Sequence, residues 1–332
     1  MSTPRAPAPA SPPTAPGRRQ ALVAFQLGPG RGATRPWFTP GQALAAFLLA
    51  LLAVVIWGAT FTVTKQLLRE LRPMAILFAR FVVGYAALWV LHPRRLPWQG
   101  LATEVRMALM GGLGVTLYFF FENLALVHGS AGMVSVVVCT SPVLTALLPA
   151  LVGRGQRLTP GYWLGFALAA GGVLLTVSGG DLSTLSGAWL GAVLAVAGAF
   201  TWSLYTLLSQ ALPKGLNQLA LTRRTFFWGI LAMLPLCLPE WRHWDLAPFL
   251  LWHNAWRVLG LGLIAGAGCY AAWSYAVSRL GGLQTSLLLY LNPVVGVLAA
   301  ALVLGERLTG LILLGVCLTL AGVAVSSLST HR

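Results

Sequence analysis

Charged residues are scarce in this chain of 332 residues, where Asp, Glu, Lys and Arg make up 9% of the composition. Soluble domains carry about 25% charged residues, so too little charge is present to cover a water-exposed surface of this size. Hydrophobic residues make up 57% instead. This balance excludes a soluble globular protein and indicates an integral membrane protein.

Motifs for nucleotides, metals and disulfides are also missing. No Gly-x-x-x-x-Gly-Lys segment is present, which argues against a directly ATP-driven pump. The four cysteines lie in apolar runs at spacings that match no metal or redox motif, and the five histidines are scattered, which argues against a membrane enzyme. The net charge of +15 comes without a basic face interleaved with aromatic residues, so we expect no nucleic-acid partner. We also expect no cofactor.

Apolar stretches recur along the chain, each about long enough to cross a bilayer as a helix. They predict an all-α integral membrane protein with ten transmembrane helices. Residues 1–41, rich in Pro, Ala and Arg, precede these stretches and are expected to form a disordered cytoplasmic tail. The predicted helices are 43–66, 73–91, 106–127, 131–151, 161–179, 187–210, 219–238, 256–279, 283–303 and 308–328.

The distribution of Lys and Arg predicts the orientation. If the N-terminus is cytoplasmic, fifteen of these residues lie on the cytoplasmic side and six on the outer side. Because cytoplasmic loops are enriched in Lys and Arg, we expect both termini in the cytoplasm and the protein in the cell (inner) membrane.

A short motif occurs twice, as Gly-Gln-Arg-Leu-Thr at 155–159 and as Gly-Glu-Arg-Leu-Thr at 305–309. Pro142 precedes the first copy and Pro293 the second at nearly equal distance, which indicates two copies of one unit. A unit that crosses the membrane five times must face the opposite way from its copy, so we expect a 5+5 inverted-topology repeat. The two units are residues 42–180 and 185–328.

The chain resembles EamA-type proteins of the drug/metabolite transporter superfamily. Trp57-Gly58-Ala59-Thr60-Phe61 resembles their opening signature, and further resemblance lies in Glu-Asn-Leu-Ala-Leu at 122–126, in Ser141-Pro142 and in the two Gly-x-Arg-Leu-Thr segments. The resemblance implies a ten-helix carrier of 5+5 inverted repeats that moves small metabolites such as amino acids or drugs, often outward. Gln156 departs from the family's usual Glu, which Glu306 retains. This position is at a helix boundary, so the departure concerns local capping more than transport.

Aligning the repeats by their prolines pairs residues that should surround a central cavity. Trp57 and Thr60 share one helix face, as do Trp202 and Tyr205. Aromatic, hydroxyl-bearing faces can hold an organic substrate by stacking and hydrogen bonding, and the alternative is a packing seam between helices. The pairs are Trp57 with Trp202, Glu122 with Trp273, Cys139 with Tyr290, and Ser141 with Asn292.

Arg80 and Glu122 are the clear ionisable residues inside the predicted helices. A charge at membrane depth is costly, so each should face a partner or a wet cavity. One interpretation is that the pair recognises a zwitterionic substrate or relays a proton. The other is a permanent buried ion pair or a side chain reaching the interface. Proton coupling is therefore open.

Pro142 and Pro293 are expected to break helices four and nine. Each removes a backbone donor and frees a carbonyl, and Ser141 and Asn292 can supplement the break. Such discontinuous helices commonly line carrier sites.

Together these features predict a secondary carrier that works by alternating access, with amino acids or their derivatives as the leading substrates and export favoured by the resemblance. The alternatives are a flippase of lipid or lipid-linked sugar, and a passive uniporter or exchanger; a channel is disfavoured by the aromatic faces. The expected partners are a small-molecule substrate and the bilayer, with the chain a monomer or homodimer. The predicted substrate-binding residues are Trp57, Thr60, Arg80, Tyr118, Glu122, Ser141, Trp202, Tyr205, Trp273, Tyr290 and Asn292, and the predicted helix breaks are Pro142 and Pro293.

Overall fold

The computed structural model describes residues 40–151, 153, 158–179, 185–213, 215–280, 285 and 288–330. The predicted tail lies outside the described residues except for its last two positions. Gln156, at which the repeated motif departs from the family pattern, lies outside them as well.

The described part of the chain is helical and contains no β-strand. Eight helices are long and apolar enough to cross a membrane, namely α1 to α6, α8 and α10. Helix α7 is less apolar because it carries Arg223 and Arg224, and α9 is shorter. The ten longer helices among the described residues are α1 (Pro40–Leu67), α2 (Pro73–Leu91), α3 (Leu101–His128), α4 (Ala131–Leu151), α5 (Pro160–Ser178), α6 (Leu185–Gln210), α7 (Gln218–Cys237), α8 (Trp252–Leu280), α9 (Leu288–Leu304) and α10 (Gly310–Thr330).

Local sequence explains where several helices begin and end. The Thr159 hydroxyl accepts a hydrogen bond from the Tyr162 amide at 3.2 Å, and the Thr309 hydroxyl accepts one from the Ile312 amide at 3.2 Å. The last residue of each repeated motif therefore caps the helix that follows. Gly305 ends α9 with φ of 69°, a left-handed conformation that glycine adopts without strain.

Two helices contain π-helical segments in glycine-rich sequence, Gly111–Leu117 in α3 and Gly260–Gly268 in α8. A π segment inserts extra residues into the helical turn and rotates everything that follows it, and such segments occur frequently at functional sites. Tyr118 and Glu122 follow the first segment, and Tyr270 and Trp273 follow the second. The two segments therefore set the directions of four polar or aromatic side chains.

Helix α4 is interrupted at Cys139 and Thr140, between the α-helical parts Ala131–Val138 and Ser141–Leu151. Pro142 has no amide hydrogen to donate to the carbonyl four residues earlier, so the first part ends at that carbonyl, on Val138. Helix α9 begins with a 3-10 turn, Leu288–Leu291, and continues as an α-helix from Asn292. Pro293 thus lies in the first turn of this α-helix and not at the middle of a continuous one, because there its missing donor costs nothing.

Contacts between connections define two ends of the helix bundle. Glu306, after α9, contacts the start of α4, and Glu70, after α1, contacts the start of α8. We call this the Glu306 end. At the opposite end, which we call the Arg223 end, the Arg223 guanidinium at the start of α7 donates to the His92 and Arg94 carbonyls after α2.

Glycine residues let several helix pairs approach to backbone contact. Helices α5 and α10 pack through Gly165 and Gly172 against Gly322 and Gly315, where a Cβ on any of the four would overlap backbone atoms of the other helix. Gly84 of α2 meets the π segment of α8 at Gly262, and Gly229 of α7 meets the π segment of α3 at Gly111. Close backbone approach maximises van der Waals contact in lipid, where no hydrophobic force drives helix association.

The α5–α10 contact predicts opposite outcomes for two adjacent glycines. Gly172→Val should destabilise the protein by about 1–3 kcal/mol or more, because the new side chain overlaps the Thr319 amide and the Gly315 carbonyl. Gly171→Val is the matched control, since a Cβ there meets no atom within 4 Å. Thermal unfolding of both purified variants in detergent measures the difference. Equal melting temperatures would show that the seam does not limit stability.

Candidate functional site

A continuous series of aromatic rings, here called the aromatic belt, runs through the centre of the bundle. Neighbouring ring centroids lie 4.6 to 5.7 Å apart, within the range of favourable aromatic pairs. The belt joins three helices of the first half of the chain to three of the second in a single array. In order, its members are Trp273, Trp57, Tyr270, Phe226, Phe81, Phe119, Tyr118, Trp202 and Tyr205.

 Both halves of the chain contribute to the belt. Trp57, Phe81 and the adjacent pair Tyr118 and Phe119 come from α1, α2 and α3, and the other members come from α6, α7 and α8. The belt therefore lies where the two halves meet.

Arg80 and Glu122 lie among these rings, and both are almost completely buried, with 6% and 2% of their surface exposed. The Arg80 guanidinium carbon lies 4.4 Å from the centre of the Phe119 ring, a cation–π contact. The charges of Arg80 and Glu122 are near enough to attract each other. Among the described residues, however, the ion pairs within 4.0 Å are Arg224 with Glu104 and Glu70 with His253, so Arg80 and Glu122 form no direct ion pair.

Both charged side chains also have atoms without a hydrogen-bond partner among the described residues. These atoms are Nη1 of Arg80 and Oε1 of Glu122, and each is shielded from solvent. The Tyr118 hydroxyl lies close to the Glu122 carboxyl. Because a buried charged group without a partner is costly, this arrangement differs from a satisfied structural ion pair.

A cavity of about 500 Å³ leads from the Arg223 end to the belt. Its walls come from α3, α6, α7 and the α6–α7 connection, and Tyr205 is the belt residue in its lining. Ser209, Gln218 and Thr222 also line it, so the described part of the wall combines polar and apolar residues and carries no charge. A small organic molecule that enters the cavity from this end can therefore contact Tyr205 of the belt.

The Glu306 end is tied together by hydrogen bonds, a group of contacts here called the Glu306 clasp. The Glu306 carboxylate accepts hydrogen bonds from the Ala131 and Gly132 amides at 2.7 and 3.1 Å. The Lys65 ammonium donates to the Leu126 carbonyl and, at 2.9 Å, to the Gly129 carbonyl. These contacts connect the ends of α1, α3 and α9 to the start of α4.

A second contact at the same end joins α1 to α8. The Glu70 carboxylate lies 3.0 Å from the His253 ring nitrogen and accepts a hydrogen bond from the Asn254 amide at 2.7 Å. The hydrogen bond with His253, which has the larger effect, and the one from Asn254 hold the pKa of Glu70 below its ordinary value. The carboxylate therefore stays ionised near neutral pH and keeps this contact.

The structure brings only part of the predicted site residues together. Trp57, Arg80, Tyr118, Glu122, Trp202, Tyr205 and Trp273 lie in or among the belt. Thr60 lies one turn from Trp57 and donates to the Trp57 carbonyl at 2.6 Å.

Three other predicted residues make different contacts. The Ser141 carbonyl accepts hydrogen bonds from Thr145 and from Ser203 of α6, each at 2.8 Å. The Tyr290 hydroxyl bonds Ser327 of α10 at 3.0 Å, and its ring packs near Tyr162 of α5. Asn292 starts the α-helical part of α9, and its Oδ1 is buried without a hydrogen-bond partner among the described residues.

Sequence reasoning missed four belt residues, namely Phe81, Phe119, Phe226 and Tyr270. Tyr270 had an available signal, since it precedes Trp273 by three positions and shares its helix face. Phe81 and Phe119 each adjoin a predicted site residue in sequence, Arg80 and Tyr118. Phe226 had no comparable signal in its segment.

Comparison with known proteins places these features in context. The EamA-like transporter family matches the chain twice, at residues 44–178 and 189–328. The chain is 28% identical to a "Probable amino-acid metabolite efflux pump" of Escherichia coli (strain K12), over 84% of this chain and 93% of that protein. It is 29% identical to a "Probable terminal-alkyne amino-acid exporter" of Streptantibioticus cattleyicolor, over 82% of this chain and 90% of that protein.

A solved crystal structure shares the fold, with a TM-score of 0.58 and 20% identity, over 85% of this chain and 98% of that one. The two family matches together cover most of the chain, including the helices that carry the belt and the clasp. The chain is therefore a transporter and not an enzyme, and it belongs to the EamA-like transporter family.

Proposed function

We propose that the protein is a secondary transporter that exports small organic metabolites by alternating access, with amino acids or their derivatives as the leading substrates. The observation that carries this proposal is the asymmetry around the aromatic belt. The cavity reaches the belt from the Arg223 end, whereas the Glu306 clasp ties the opposite end together. This is the arrangement expected of a carrier whose central site is open to one side at a time.

An inverted 5+5 repeat would supply the two alternating states. The π segments support it, because each occurs in the third helix of its half, α3 and α8. Packing supports it as well, since α2 contacts the π segment of α8 and α7 contacts that of α3. In this interpretation residues 42–180 and 185–328 are the two repeats, and the belt lies at their interface.

The orientation follows from the charges. The Arg223 end carries the connections that are rich in Lys and Arg, including Arg94, Arg95 and Arg106. We therefore assign this end and both termini to the cytoplasm. The described state then faces the cytoplasm, the side from which an exporter loads its substrate.

The leading substrate class is supported by the chemistry of the walls and by the relatives. An aromatic belt with hydroxyl groups binds organic molecules by stacking and hydrogen bonding. Two relatives are named as exporters or efflux pumps for amino acids or their metabolites. Neither observation selects one amino acid.

Transport by the purified protein tests the function. Proteoliposomes containing the full chain should move labelled amino acids, with and without an imposed proton gradient. Trp202→Ala should raise the KM for the substrate about tenfold. The substitution removes the ring that packs between Tyr118 and Tyr205, and with it the surface on which the substrate would stack. Trp189→Ala on the same helix is the control, since Trp189 is exposed. If no amino acid is moved, the leading substrate class is wrong.

Thiol labelling tests alternating access. In a variant without the native cysteines, Ser209→Cys places a thiol in the cavity, where a membrane-impermeant reagent should reach it from the Arg223 end. Adding Glu306→Ala removes two charge-assisted hydrogen bonds from the clasp, favours the opposite state and should slow this labelling several-fold.

Arg307→Ala is the control for the clasp, because Arg307 is the exposed neighbour of Glu306. It should leave the labelling rate unchanged. Unchanged labelling in the Glu306→Ala variant would mean that the clasp does not hold the described state.

A further inference from the structure

Arg80 and Glu122 present an unusual combination of properties. Each is more than nine-tenths buried, they carry opposite charges that attract each other beside the Phe119 ring, and they form no direct ion pair. Each also has a buried polar atom without a hydrogen-bond partner among the described residues. Two unlike charges at membrane depth normally pair with each other, because this offsets part of the cost of burial.

Another buried ionisable residue of the same chain shows what a satisfied group looks like. Arg223, 5% exposed, donates to the His92 and Arg94 carbonyls and stacks 3.9 Å from the centre of the Trp89 ring. Glu104, 3% exposed, differs from Arg223: its carboxylate lies 3.5 Å from Arg224, so its charge is paired, but neither carboxylate oxygen has a hydrogen-bond partner among the described residues. Both are at the Arg223 end, away from the belt.

We propose that Arg80 and Glu122 bind opposite ends of a zwitterionic substrate, Arg80 taking its carboxylate and Glu122 its ammonium group. This inference rests on the proposed transport function and deepens it. The guanidinium offers donors to a carboxylate, and the Glu122 carboxylate accepts from an ammonium group. A molecule that carries both charges satisfies both residues at once, and the complex has no net added charge.

The belt supplies the rest of the site. Phe119 fixes the guanidinium from one face, and Tyr118 lies beside the Glu122 carboxyl. The neighbouring belt rings Phe81 and Phe119 would contact the apolar remainder of the substrate. Molecules with only one of the two charges leave one residue buried and unpaired, so the site rejects them.

Equilibrium binding to the full chain in detergent tests the proposal. The standard L-amino acids are first compared for thermal stabilisation of the wild type. The one that stabilises most is then compared with its methyl ester, which lacks the carboxylate, and its N-acetyl derivative, which lacks the ammonium group. The wild type should bind the parent amino acid at least about tenfold more tightly than either derivative.

The variants should separate the two roles. Arg80→Gln should bind the parent no better than the ester while still rejecting the N-acetyl derivative. Glu122→Gln should show the reverse pattern. The controls Arg223→Gln and Glu104→Gln remove equally buried charges elsewhere and should keep the wild-type preference for the parent.

The double variant Arg80→Gln with Glu122→Gln is the control for folding. It leaves neither of these two charges buried alone and should elute as the wild type does in size-exclusion chromatography.

The proposal is overturned if no amino acid stabilises the wild type. It is also overturned if each single variant weakens the binding of all three ligands equally, as expected of a structural pair bridged by water. Transport by the same preparations separates the two proposals. Transport without a preference for the zwitterion removes only this inference, whereas the crossed binding pattern without transport removes only the transport function.

Discussion

Backbone contact at glycine is the constraint on which this helix bundle depends. In lipid the apolar side chains gain nothing by leaving solvent, so helices associate through close packing and interhelical hydrogen bonds. Gly165 and Gly172 bring α5 against α10, and Gly84 and Gly229 bring α2 and α7 against the π segments of α8 and α3. These contacts hold the helices in place through small residues and leave other positions on α2, α3, α7 and α8 to carry the large rings of the belt.

The polar groups of the protein are placed by the same logic. Most hydroxyl groups in the helices donate to a carbonyl of their own helix, as Thr60, Thr206 and Ser209 do, so they add little polarity to the interior. Charged side chains concentrate at the two ends, where Arg223 and Glu306 satisfy backbone groups of connections and helix starts. Arg80 and Glu122 depart from this pattern, which is why they point to a ligand.

Much of the fold could be predicted because the signals are local. Apolar stretches set the helices, and Thr159 and Thr309 cap the helices that follow them. The π segments could not be predicted, since glycine-rich sequence permits an ordinary helix equally well. Trp57 and Trp202 were predicted for the site from helix spacing, whereas Phe226 reaches the belt only because α7 packs between α2 and α8. The partner of Glu306 is likewise set by tertiary structure, because its carboxylate caps α4 and not the helix next to it in sequence.

Helix α4 gives a physical route from the clasp to the central site. Glu306 holds its first residues, Ala131 and Gly132, and its first part ends at Val138, next to the interruption at Cys139 and Thr140. The second part is anchored separately, through the hydrogen bond from Ser203 of α6 to the Ser141 carbonyl. A helix divided in this way can move its first part while its second part stays fixed. Release of Glu306 would therefore free the segment beside the belt to shift while the second part stays anchored to α6, which couples closure of one end to the geometry of the site.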